Sequence, residues 1–96
     1  MSRSEIIQIL KEFKEQYSEK YGILLIGLFG SVARDEAKKD SDVDVVVKIK
    51  TPDPFIIVHI KEDIEEQLQL HVDIVRLREK MNPFLNKRID KEAVYV

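Results

Sequence analysis

Two short clusters in this 96-residue chain have residue types suited to phosphate chemistry. The first is Gly30-Ser31, which follows the apolar run Ile23 to Phe29. Glycine permits close backbone approach or unusual dihedrals. A helix start offers unpaired N–H groups and a favourable dipole to an anion. Ser31 adds a hydroxyl for a phosphate oxygen. Taken alone, the pair also reads as a strand-to-helix turn with a serine cap. The second cluster is Asp42-Val43-Asp44. On a strand, alternation puts both carboxylates on one face, about 6.5–7 Å apart at Cα. Asp is depleted in strands, and like charges on one face repel. A divalent cation turns that repulsion into a binding site, because Mg²⁺ takes one or two carboxylates with water and substrate phosphates. Taken alone, Asp42 is a turn cap and Asp44 a solvated strand end.

The elements that must position these clusters read as follows. Ile6, Ile9, Leu10, Phe13 and Tyr17 recur at helical spacing, which predicts a helix from about 4 to 20 with Ser4 as its N-cap. Gly22 ends it. Ile23 to Phe29 is apolar nearly throughout, as expected of a strand buried on both faces. Residues 31 to 38 have the composition of a short helix, and Asp40-Ser41 that of a turn. Asp42 to Ile49 alternates and then becomes a β-branched run, which predicts a second strand. Thr51-Pro52-Asp53-Pro54 is a loop. Ile57, Ile60, Ile64 and Leu68 predict a helix from about 54 to 69. His71 to Leu77 is a third strand. Asn82-Pro83 is a cap and first-turn pair opening a last helix, and Val94-Tyr95-Val96 is a short fourth strand. The alternation predicts an α/β fold: a small mixed sheet of three to four strands flanked by about four helices.

Composition limits the alternatives. A chain of 96 residues holds one core, so residues 1–96 are expected to form a single domain. Sixteen basic against eighteen acidic residues give a net charge of −2, which offers nucleic acid or an anionic membrane no bulk attraction. Without cysteine there is no disulfide, thiolate nucleophile or Cys-ligated zinc. The longest apolar run, residues 22–30, is too short to span a bilayer. The first five residues lack the apolar stretch of a signal peptide, so a cytoplasmic location is expected.

Together the clusters form G-S-x10-D-x-D, from Gly30 to Asp44. Four fixed letters at that spacing match by chance on the order of once in a thousand chains of this length. The motif falls in the frame strand–turn–helix–strand, and it resembles the signature of the DNA polymerase β nucleotidyltransferase superfamily. The chain as a whole resembles the minimal, MntA-type branch. The resemblance runs through Gly30-Ser31-Val32-Ala33-Arg34, Ser41-Asp42-Val43-Asp44 and Val72-Asp73-Ile74-Val75 to Ile89-Asp90-Lys91-Glu92-Ala93-Val94-Tyr95. One departure is Asp35, where the family often has Gly.

The resemblance implies a polymerase-β-like palm core and a third carboxylate, for which Asp73 fits. It implies transfer of AMP from ATP to a hydroxyl, with release of pyrophosphate. Asp42, Asp44 and Asp73 would hold two Mg²⁺, and Asp73 would also accept the proton of the attacking hydroxyl. Gly30 and Ser31 would anchor phosphates, and Arg34 lies one helical turn on, with a fork of donors. Arg34 also reads as a surface residue paired with Asp35 or Glu36. His59 and His71 are expected to be structural or surface residues. The bare module leaves no room for an acceptor-binding domain, and in this family the partner is typically a HEPN-domain toxin modified on tyrosine. A homodimer is compatible with the sequence. Two other readings stay open: a non-catalytic module that neutralises a toxin by covering it, and a transferase for small, antibiotic-type acceptors.

Overall fold

The computed structural model describes residues 1–38 and 41–96. Lys39 and the first residue of the expected Asp40-Ser41 turn lie outside the described residues. The elements in order are α1 (Arg3–Tyr21), β1 (Ile23–Phe29), α2 (Gly30–Ala33), β2 (Val43–Ile49), α3 (Pro54–Leu68), β3 (Val72–Arg76), α4 (Pro83–Glu92) and β4 (Val94–Tyr95). They form a mixed sheet in the order β3-β2-β1-β4. β2 and β3 are parallel, with α3 as the connection such a pair requires. β1 runs antiparallel to both β2 and β4.

Local chemistry explains the element ends. Ser2, not Ser4, caps α1. The Ser2 hydroxyl accepts from the Glu5 N–H while the Glu5 carboxylate accepts from the Ser2 N–H, which is the reciprocal S-x-x-E capping box. Gly22 closes the helix in the left-handed region, at φ 65°. Asp53 and Asn82 cap α3 and α4, each followed by proline in the first turn.

The helix expected over 31–38 is only four residues long. It stops because Asp35 takes a left-handed φ of 58°. The Asp35 N–H then donates to the Val32 carbonyl at 3.0 Å and the Glu36 N–H to the Ser31 carbonyl at 2.8 Å. These two bonds make a Schellman stop, whose left-handed position suits glycine best. That preference gives a physical reason for the family's frequent glycine at this position.

α1 and α3 pack on one face of the sheet, around Leu10, Phe13, Ile26, Leu28, Val45, Val47, Ile60 and Ile64. The Tyr21 hydroxyl ties them by donating to Asp63 Oδ2 at 2.5 Å. That hydrogen bond first, and burial second, push the Tyr21 phenol up to about 12. The other face is covered only in part, by α4, whose Ile89 packs on Phe29 and Val46. β1 is therefore not buried on both faces along its length: Leu24 and Leu25 are exposed. The pairing with β2 shifts register between Ile23 and Leu25, which turns Leu24 outward.

Candidate active site

The register of three strands builds the site. Asp44 lies directly opposite Phe29 on β1 and beside Asp73 on β3. Val43, one residue earlier, belongs to the α1/α3 core, so alternation turns Asp44 and Asp73 toward the α4 face. The start of β3 is fixed from both sides. The Val72 N–H donates to the Glu65 carboxylate of α3 at 3.0 Å, and the Val43 N–H donates to the His71 carbonyl at 2.9 Å. Asp44 is half-buried, while Asp42 and Asp73 are exposed.

Gly30 closes this arrangement. Its φ of 75° lies in the left-handed region, and it is buried directly against Asp44. A Cβ at this position would lie 2.9 Å from Asp44 Cγ and would overlap the carboxylate. Both the backbone conformation and the close approach require glycine. Ser31 follows, half-buried, and Arg34 stands at the end of the four-residue helix. A helix that short has little dipole, so any attraction for phosphate must come from individual N–H groups and from arginine.

Burial is the main cause that pushes the Asp44 carboxyl above the usual carboxylate range. The charge of Asp73 and, less, that of Asp42 add to it, against the opposing pull of Arg88 and Arg34. The three carboxylates are thus electrostatically joined although they differ in exposure. Among the described residues no three acidic or histidine side chains stand close enough to make a ready cage for an ion. Mg²⁺ does not need one, since a pair of carboxylates completed by water and substrate phosphates is its usual protein site. The donor set fits it: oxygen ligands only, with a half-buried carboxylate flanked by two like charges.

Arg34 does pair with Glu36, at 3.1 Å from Nε, as its surface reading anticipated. It also reaches α4, where Nη1 lies 2.9 Å from Glu92 Oε1. The Gly30 N–H donates to Glu92 Oε2 at 3.3 Å, and Arg88 Nε lies 3.6 Å from the same oxygen. Glu92 lies in the closing segment that carries the family resemblance, but neither it nor Arg88 is assigned to the site from sequence, because no local feature ties either to Gly30 or Arg34. The one available signal was their i, i+4 spacing on the last helix. His59 and His71 are exposed on α3 and just before β3. A cleft of about 510 Å³, lined among others by Arg3, Ile6, Val32, Asp35, Ser41 and Val43, opens on the opposite side of β2 from the carboxylates.

The sequence profile of the nucleotidyltransferase domain family matches residues 6–96. This chain belongs to that family. It is 36% identical over 97 residues to the protein adenylyltransferase MntA of Thermococcus cleftensis, covering 100% of this chain and 97% of that protein. A solved structure described provisionally as a minimal nucleotidyltransferase superposes with a TM-score of 0.79 at 30% identity, over 98% of this chain and 95% of that one. The MntA-type palm expected from the motif is therefore the fold observed. A more distant structure shares the fold at a TM-score of 0.58 and 22% identity, over 88% of this chain and 69% of that one; it is a tri-AMPylated Shewanella oneidensis HEPN toxin in complex with its MNT antitoxin. The chain is a nucleotidyltransferase, and no helix among the described residues is long and apolar enough to cross a membrane.

Proposed function

We propose that this nucleotidyltransferase transfers AMP from ATP to a hydroxyl, a tyrosine by analogy, on a HEPN-domain partner and so acts as that toxin's antitoxin in the cytoplasm. The observation that carries the reading is the Asp44–Asp73 pair, set side by side by the parallel register, with Gly30 packed against Asp44. Two facing carboxylates beside a glycine that brings its backbone to contact suit an in-line displacement at phosphorus.

Asp42, Asp44 and Asp73 would hold Mg²⁺. Bound there, the ion supplies Lewis-acid charge that stabilises the attacking and leaving oxygens. The residues do the rest. The Gly30 N–H and the Ser31 hydroxyl donate to phosphate oxygens and orient the triphosphate, and Arg34 adds a charged fork. The acceptor oxygen bonds to the α-phosphorus as the bond to the pyrophosphate oxygen breaks. Pyrophosphate leaves with that electron pair, and a carboxylate oxygen of Asp73 takes the acceptor's proton. Asp73 suits that role because it is exposed at the sheet edge, where a partner's side chain can arrive.

The test is direct. The purified chain, incubated with a HEPN-domain partner, ATP and Mg²⁺, should add an AMP-sized mass to the partner, and no adduct would refute the reading. An Asp42→Ala, Asp44→Ala double variant should still bind the partner without modifying it. Full neutralisation by that variant would favour covering alone.

A further inference from the structure

The nucleotide reading leaves one carboxylate unexplained. Glu92, at the last turn of α4, is largely buried, with 16% of its side chain exposed. Its two oxygens collect the Gly30 N–H, the Arg34 guanidinium and the Arg88 guanidinium, at 3.3, 2.9 and 3.6 Å. Two of these three groups are the ones the proposed reaction uses for phosphate. The third, Arg88, lies over the Phe29 ring at 5.7 Å from its centroid, which seats its charge on the sheet face that carries Asp44. One amide and two planar forks around a two-oxygen anion form the donor set that also suits a phosphate.

We infer that Glu92 is an internal anion holding the triphosphate seat while no nucleotide is bound, and that Arg88 is a donor of that seat. The inference rests on the nucleotide reading above. Nucleotide and Glu92 compete for the same three donors. Glu92 is the last residue of α4, before the extended cap residue Ala93, and a change of its side-chain rotamer would open the seat without unwinding the helix. Competition lowers apparent affinity by the fraction of molecules in which the seat is open. A partly exposed, charge-assisted pair of this kind closes the seat about three- to tenfold.

The experiment is calorimetric titration of the folded chain and its Glu92→Gln variant with inorganic tripolyphosphate, Mg²⁺-ATP and adenosine. Glu92→Gln should bind tripolyphosphate and Mg²⁺-ATP about three- to tenfold more tightly and adenosine unchanged. Glu36→Gln is the control: it removes the same unit of charge and a partner of Arg34, but not a partner of Gly30. It should bind tripolyphosphate within about twofold of the parent. In the Glu92→Gln background, Arg88→Gln should reverse the gain. Glu92→Ala replaces Glu92→Gln if the latter melts early. Weaker or equal binding by the Glu92 variant would overturn the inference, because a carboxylate that merely positions the arginines weakens binding when removed. An equal gain in Glu36→Gln would overturn it too, by reducing the effect to net charge. These failures leave the nucleotide reading intact, whereas a parent chain that binds neither tripolyphosphate nor Mg²⁺-ATP would overturn both.

Discussion

Gly30→Ala concentrates two separable penalties on one atom. The first is conformational: at φ 75° a Cβ crowds the neighbouring carbonyl, at a cost of about 1–2 kcal/mol. The second is steric. The new methyl would lie 2.9 Å from Asp44 Cγ and 3.2 Å from its Cβ, and would overlap the carboxylate oxygen. Carbon atoms settle at about 3.5–4.0 Å, so the Asp44 carboxylate must retreat by on the order of 1 Å. Misplacement of a catalytic group on that scale costs about 10²-fold in rate. Strain alone should lower the melting temperature by about 5–15 °C in a domain of this size.

A double-mutant cycle separates the two penalties. In an Asp44→Ala background the overlap with the carboxylate is gone and only the 3.2 Å contact with Cβ remains, so Gly30→Ala should cost little more than the backbone strain. The cycle should therefore show a coupling of about 1 kcal/mol or more. Melting curves supply the stability arm, and incorporation of labelled AMP into a HEPN-domain partner supplies the rate. Transfer by Gly30→Ala within about threefold of the parent would refute the claim that Gly30 sets the position of Asp44. Additive stabilities in the cycle would refute the clash.

Two further outcomes follow from the same geometry. Asp44→Asn removes the buried member of a like-charged pair, so in EDTA it should melt about 2–6 °C higher than the parent, gain less from added Mg²⁺, and transfer no AMP; calorimetric melts with and without the ion check all but the last. Asp35→Gly relieves a left-handed residue at the stop of α2 and should gain about 0.5–1 kcal/mol, less than the full left-handed cost because glycine also loosens the unfolded chain. A higher melting temperature, with any change in transfer scored separately, is the measurement.

What the sequence made legible was set by how local each signal is. β1 was readable to the residue and β2 nearly so, because an apolar run bounded by Gly22 and Gly30 and a valine run after Asp42 need no tertiary knowledge. The Ser2–Glu5 capping box is equally local: the reciprocal Glu stands three residues after Ser2, whereas three residues after Ser4 stands Ile7. The length of α2 was not legible: Ser31 to Lys38 has helical composition, and the Schellman bonds that stop it exist only once Asp35 turns left-handed. The exposure of Leu24 and Leu25 depends on a bulge against β2 and on how far α4 reaches, both non-local. The same holds for the site. The motif residues were visible as types at a spacing, whereas Arg88 and Glu92 arrive from a helix more than 50 residues along the chain.

The adjacency of Asp44 and Asp73 is fixed by residues that take no part in chemistry. In the β2–β3 register Val43 faces Val72 and Val46 faces Val75. The first pair packs under α1 and α3 and the second under α4. Because side chains alternate along a strand, a slip of one residue would send each valine to the wrong face. The burial that selects this register therefore also obliges two carboxylates to stand side by side. Nothing in packing rewards that arrangement, and burial together with the Asp73 and Asp42 charges works against ionising Asp44. A sheet under selection for stability alone would place a neutral residue at one of the two positions. Both stay acidic, next to a glycine, costly in conformational entropy, held in the left-handed region against one of them. Three unfavourable choices converge on one end of one sheet face. Each becomes favourable when a cation and a triphosphate lie there, as the proposed transfer requires.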